Sequence, residues 1–158
     1  MDYNDKLRKE IANKANDIND LMMSISEKDE EIRIMKETLE LIIENSTEGF
    51  WDWHILDDYE YLSPTFKKHF GYEDDEMENH PSSWQKIINQ DDLPNVLGIF
   101  DKHVDSKGKI PFITECRYNH KDGHEVLIWC KGKVVEWGED GSPIRMVGTH
   151  IDITSLKK

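Results

Sequence analysis

The chain holds 158 residues, 37% hydrophobic and 34% charged, with a formal net charge of −13. That is room for one modest domain and an accessory element. The excess of Asp and Glu argues against nucleic acid or an anionic membrane surface as partner, since both call for clustered Lys and Arg.

The opening, Met1-Asp2-Tyr3-Asn4-Asp5, is acidic where a secretory signal needs a basic start. From there to about residue 44 there is no Gly and no Pro, and Ile11, Ile18, Ile25, Ile32 and Leu39 recur at every seventh position. A second series, offset by three, holds Leu7, Leu21, Met35 and Ile42, with Lys14 and Lys28 in its other places. This a/d pattern is that of a coiled coil, and Ile at a with Leu or Met at d favours a parallel pair. The stripe keeps a 3.5-residue period, not the 3.6 of a helix lying on its own domain. The two lysines weaken the seam, though their stems can lie along it, and Glu31 with Lys36 offers one cross-helix ion pair. The apolar run Leu39-Glu40-Leu41-Ile42-Ile43 is far short of the about 20 residues that cross a bilayer. Residues 1–45 are therefore expected to be a dimerising helix in the cytoplasm, with no membrane span.

After Asn45 the period changes. Phe50 to Ile55 alternates as a strand, Asp57-Asp58 turns, and Tyr59 to Leu62 returns. Ser63-Pro64 opens a helix over Thr65 to Phe70 that stops at Gly71. Short acidic turns lead to Met77. Helical pieces follow at Ser83 to Ile88 and Leu93 to Val104. The last third is strand-rich: Ile110 to Asn119 and Glu125 to Val135, joined by Lys121-Asp122-Gly123, then Ile144 to Ile153 after a turn at Gly138-Glu139-Asp140-Gly141. Two strands, several short helices and three strands make an α+β layout: a five-stranded antiparallel sheet with short helices on one face, preceded by a long helix.

Several motifs in this order resemble the PAS sensor fold, in the variety whose first strand carries paired tryptophans. They are Gly49-Phe50-Trp51-Asp52-Trp53, Tyr61-Leu62-Ser63-Pro64, Phe70-Gly71-Tyr72, Trp84, Asp91-Asp92-Leu93, Glu115-Cys116-Arg117-Tyr118, Met146-Val147-Gly148 and Asp152-Ile153-Thr154. The resemblance covers residues 49 to about 154, giving a PAS domain over 46–154 and the start of a linker at 155–158. It implies an input domain like those of bacterial sensor histidine kinases and diguanylate cyclases, dimeric and flanked by coiled coils. It also implies that Asp152, Ile153 and Thr154 relay a signal to an output domain, in cis or in a downstream partner, with Lys131 as a possible pairing cation. The chain departs from the family at Gln90, where His is common, and at Lys131, where Arg precedes the glycine and would offer a planar fork. The light-sensing branch uses an Asn-Cys-Arg-Phe motif that is absent here.

Enzymatic chemistry finds no footing. Of the seven histidines none pairs at metal spacing, and the two cysteines make neither a disulfide framework nor a zinc site. The acid pairs Asp57-Asp58, Asp74-Asp75 and Asp91-Asp92 suit turns and helix starts. In haem-binding relatives a His on the long helix ligates iron; a His there is common without haem, so His103 is expected to face solvent or cap, and no cofactor is expected. For a small-molecule cleft the candidates are Phe112, Cys116 and Tyr118 on one strand, Ile128 and Cys130 on the next, and Phe66, Phe70, Leu97 and Phe100 from the helices. Their bulk favours a filled core over a pocket. Leu127 and Trp129, on the other sheet face, need a cover from a partner subunit or the incoming helix. The leading reading is a non-catalytic sensory module acting as a parallel homodimer; the alternative is a ligand-free structural dimerisation module.

Overall fold

Helix α1 (Tyr3–Asn45) runs for 43 residues, as an uninterrupted heptad sequence without Gly or Pro should. The structure is a computed structural model that describes residues 2–157. Met1 and Lys158, the outer ends of the first and last expected segments, lie outside the described residues. The predicted seam of Leu7, Ile11, Ile18, Leu21, Ile25, Ile32, Met35, Leu39 and Ile42 is 43% to 64% exposed, and α1 has no buried residue. The two seam lysines sit in pairs along the helix, Lys14 with Glu10 at 3.4 Å and Lys28 with Glu31 at 2.8 Å. Glu31, expected to reach across to Lys36, is thus taken by Lys28 within this chain.

The chain divides after Asn45, and the second unit is the α+β domain. Strands β1 (Gly49–His54) and β2 (Tyr59–Leu62) form the first hairpin. Ser63 then caps α2 (Pro64–Lys68): its Oγ accepts from Phe66 N–H at 3.1 Å and from Phe50 N–H at 2.9 Å, tying helix start to strand. Gly71, at φ +82°, ends the turn that follows. A 3₁₀ turn (Asp74–Glu76) leads to α3 (Pro81–Ile87), which begins two residues before the expected Ser83. The cause is His80, whose Nδ1 accepts from Ser82 N–H at 3.1 Å and acts as the N-cap. Helix α4 (Leu93–Asp105) and strands β3 (Phe112–Asn119), β4 (Glu125–Trp137) and β5 (Pro143–Asp152) complete the domain.

The sheet is antiparallel throughout, in the order β2-β1-β5-β4-β3. Register pairs Thr114 with Cys130, Cys116 with Ile128 and Tyr118 with Val126, all buried on the inner face. Phe66 and Phe70 from the α2 region pack there edge to face, 5.3 Å between ring centres. The first and last strands of the domain are neighbours: β1 pairs with β5 in the middle of the sheet.

Candidate functional site

The inner sheet face and the helices do not close completely. Between them lies a cavity of about 320 Å³, so the sequence expectation of a filled core is corrected. Of the nine predicted lining residues, Phe66, Leu97, Phe100, Phe112, Cys116, Tyr118 and Cys130 line it. Phe70 and Ile128 do not; both are fully buried core, Phe70 lying against Tyr118 with centroids 4.6 Å apart. The remaining wall comes from residues the sequence reading did not assemble. Trp51 and Trp53 enter from β1, Glu60 from β2, Trp84 and Gln85 from α3, Val96 and Asp101 from α4, and Met146 and His150 from β5, while Thr114 of β3 joins them from the face that alternation already assigned to Phe112, Cys116 and Tyr118. A signal for some of these was present: alternation puts Trp51 and Trp53 on one face, and Glu60 falls on the inward side of β2 with Leu62.

Glu60 is the unusual member. It is 5% exposed, and its Oε2 accepts from Trp84 Nε1–H at 2.8 Å. Burial pushes its carboxyl up to about 7, against a smaller opposing effect of that hydrogen bond. His150, equally buried, stacks on Phe66 at 4.5 Å, and burial pushes its imidazole down to about 3, so it is neutral. Burial also raises the thiol of Cys116 to about 12 and that of Cys130 well above its ordinary value. These protonated thiols are poor nucleophiles. The Nε1–H groups of Trp51 and Trp53 and the Nδ1 of His150 are buried with no hydrogen-bond partner among the described residues.

Three other sites differ from expectation. His103 neither faces solvent nor caps: it is 1% exposed, its Nε2 accepts from Val134 N–H at 3.1 Å, and its Nδ1 lies 2.6 Å from the Ile110 carbonyl. Because Val134 supplies the proton to Nε2, Nδ1–H is the donor to Ile110, and the ring stitches α4 to β4. The Asp92 side chain makes no cap bond at α4 but grips Arg117, accepting from Nη2 at 2.6 Å, Nε at 2.9 Å and the backbone N–H at 2.8 Å. At the β3–β4 hairpin tip, His120, Asp122 and His124 come together with their ligand atoms within 4.8 Å of one another. There Asp122 Oδ1 stands 2.8 Å from His120 Nδ1 and 2.5 Å from His124 Nδ1, so the three groups satisfy one another.

At the exit, Asp152 Oδ1 accepts from Thr154 N–H at 2.9 Å, closing a tight turn before the final 3₁₀ segment (Thr154–Lys157). Thr154 Oγ1 accepts from Leu127 N–H, and Ile153 N–H donates to the Leu127 carbonyl, each at 2.9 Å. The exit segment therefore docks along β4 at Leu127, which with Trp129 is half-buried. Lys131 is not the partner of Asp152. It pairs in register with Thr149, and Asp152 with Ile128, which places the two on opposite faces of the sheet. Arg145, on the same strand as Asp152, forks onto Asp52 at 2.6 and 2.9 Å.

The family model described as the PAS fold matches residues 59–150. Among solved structures, a sensory box histidine kinase/response regulator from Burkholderia thailandensis is 32% identical; the match covers 75% of this chain and 86% of that one, with a TM-score of 0.64. The N-terminal domain of a diguanylate cyclase with PAS/PAC sensor from Marinobacter aquaeolei is 19% identical over 70% of this chain and 99% of that one, TM-score 0.59. A PAS domain from Colwellia psychrerythraea is 19% identical over 77% and 98%, TM-score 0.59. A comparison with curated proteins finds no match. The last two likenesses speak for the fold alone. The family match over more than half of the chain, on a sheet of order β2-β1-β5-β4-β3 with its helices on one face, shows that this chain belongs to the PAS family of sensor domains.

Proposed function

We propose that this chain is the sensory input of a signalling protein, working as a parallel homodimer through α1. It passes the state of its cavity through Asp152-Ile153-Thr154 to an output domain. The observation that carries the reading is the seam of α1: nine apolar side chains at heptad positions stand in water on a helix with no buried residue. A second copy of the same stripe covers them at the least cost in new surface. The cavity favours sensing over a purely structural spacer, because a spacer has no use for an unfilled interior lined by a buried carboxylate. The chain performs no chemistry of its own in this reading. Its output is a histidine kinase or a cyclic-di-GMP enzyme, and the relative named as a sensory box histidine kinase/response regulator favours the kinase. The setting is the cytoplasm, in keeping with α1 and the other described helices, none of which is long and apolar enough to cross a membrane.

Light scattering on the intact chain at tens of micromolar tests the dimer; a monomer there sinks it. Cross-linking through single cysteines placed at the a positions Ile11 and Leu39, near either end of the seam, tests the orientation. A parallel pair links each site to its own copy, and an antiparallel pair links one site to the other.

A further inference from the structure

The polar groups around the cavity specify a charge. Glu60 lies in its wall as a carboxylate 5% exposed, and its only hydrogen bond from a described residue comes from Trp84 Nε1–H. Asp101, also in the lining, is exposed, as is Leu97 beside it on α4, so the outer part of the cavity carries a second acid. No Lys or Arg is among the described lining residues, and His150 is neutral. The one buried lysine among the described residues, Lys67, is committed elsewhere, with Nζ 2.8 Å from both the carbonyl and the carboxylate of Asp74. The rest of the wall is aromatic, including Trp51, Trp53 and Trp84. Aromatic faces attract cations, and a buried carboxylate without a counter-charge is stabilised by one. An anion would meet two acids and no cation.

We propose that the cavity is a receptor for a small organic amine, its ammonium group held by Glu60 among the tryptophan rings and its apolar body against the phenylalanines. The proposal rests on the reading of the cavity as the sensing part of the domain. At about 320 Å³ the space is at the small end of ligand sites, which run from about 300 to 1,000 Å³, and suits a compact amine better than a nucleotide. Asp101 at the outer wall adds attraction for an approaching cation. A body that also carries an acceptor oxygen gains further, since the Nε1–H of Trp53 is buried without an acceptor among the described residues.

The test uses three probes with one body and different charge: 2-phenylethylamine, 2-phenylethanol and phenylacetate. Each is titrated into the intact chain by calorimetry at about pH 8, above the value near 7 to which burial raises Glu60. The amine is expected to bind about tenfold or more tighter than the alcohol, and the acid weaker than both. Glu60→Gln should abolish the preference for the amine while leaving the alcohol unchanged. Should that variant fail to fold by circular dichroism, Asp101→Asn should still weaken the amine a few-fold and spare the alcohol. Acid binding as tight as amine, or an amine preference that survives Glu60→Gln in a folded protein, overturns the proposal. Equal binding of amine and alcohol also overturns the amine class but leaves the cavity a ligand site and the sensory reading intact. Binding of none of the three overturns the amine class too, and the sensory reading is then decided by its own dimer and output tests.

Discussion

Trp51 owes its place to two glycines. Gly132 and Gly148 face each other across β4 and β5, and Trp51 pairs in register with Gly148. A Cβ at Gly132 would meet the indole at 2.6 Å; one at Gly148 would strike both the indole and the Lys131 carbonyl, which is backbone and cannot step aside. Gly148→Ala should therefore expel the ring and cost about 1–3 kcal/mol by urea unfolding, with a shift in tryptophan emission. A variant within about 0.5 kcal/mol of wild type would show that the slot is not tight. Glu60 gives a second residue-level effect. Its folded value, about 7, lies above its ordinary 4.5, so between these the folded state keeps a proton that the unfolded state has lost. Stability from this group thus falls as pH rises, by about 3 kcal/mol once pH passes 7. His150 runs the other way: held down to about 3, it costs stability as pH falls below its ordinary 6.5. Glu60→Gln keeps an acceptor for Trp84 and removes the first effect. Its stability relative to wild type should rise by about 2–3 kcal/mol between about pH 5 and pH 8. Parallel curves for the two proteins in urea would show that Glu60 does not titrate in this range.

At the scale of elements, the exit turn is the joint on which the proposed relay depends. Asp152, Thr154 and Leu127 hold the chain to β4 as it leaves the sheet, and Lys157 Nζ reaches Glu115 on β3 at 3.0 Å. Asp152 is exposed, so Asp152→Ala should cost only about 1 kcal/mol. Its effect on coupling should be larger, because the turn that sets the direction of departure loses its closing bond. In a fusion of a histidine kinase output after Lys158, the variant should fold yet lose most of its regulated change in activity. If regulated output in that fusion matches wild type, Asp152 is not the relay.

For the whole molecule, the chain divides after Asn45 into two compact units. The α+β domain has its own core, from Trp51 and Leu62 through Ile128 and Met146, and no described residue of α1 is buried. A chain beginning near Glu48 should accordingly keep its circular-dichroism spectrum and cooperative melting but run as a monomer in light scattering. A truncated chain that stays dimeric would move the dimer contact from α1 to the sheet domain. A truncated chain that unfolds would show that α1 is part of the fold after all.

The heptad stripe, the Ser63-Pro64 helix start, the Lys121-Asp122-Gly123 hairpin and the order of elements were all legible in the sequence, because each depends on neighbours a few residues away. Their succession gave the α+β layout, and the motifs along it, the paired tryptophans and Asp152-Ile153-Thr154 among them, carried the resemblance to the PAS fold. What sits beside what across the domain was not legible. Glu60 reads as one acid among many until the β1–β2 register and α3 place it against Trp84. His103 reads as a surface residue of an amphipathic helix until β4 brings Val134 to its ring. Lys131 and Asp152 read as a plausible pair until the strand register sets them on opposite faces. The cavity itself is a difference between the volume the fold encloses and the volume the side chains fill, a quantity no local pattern contains. Local sequence thus determined the elements and their kind. Register and packing between distant segments decided which carboxylate is buried, which histidine is structural, and that the interior is open.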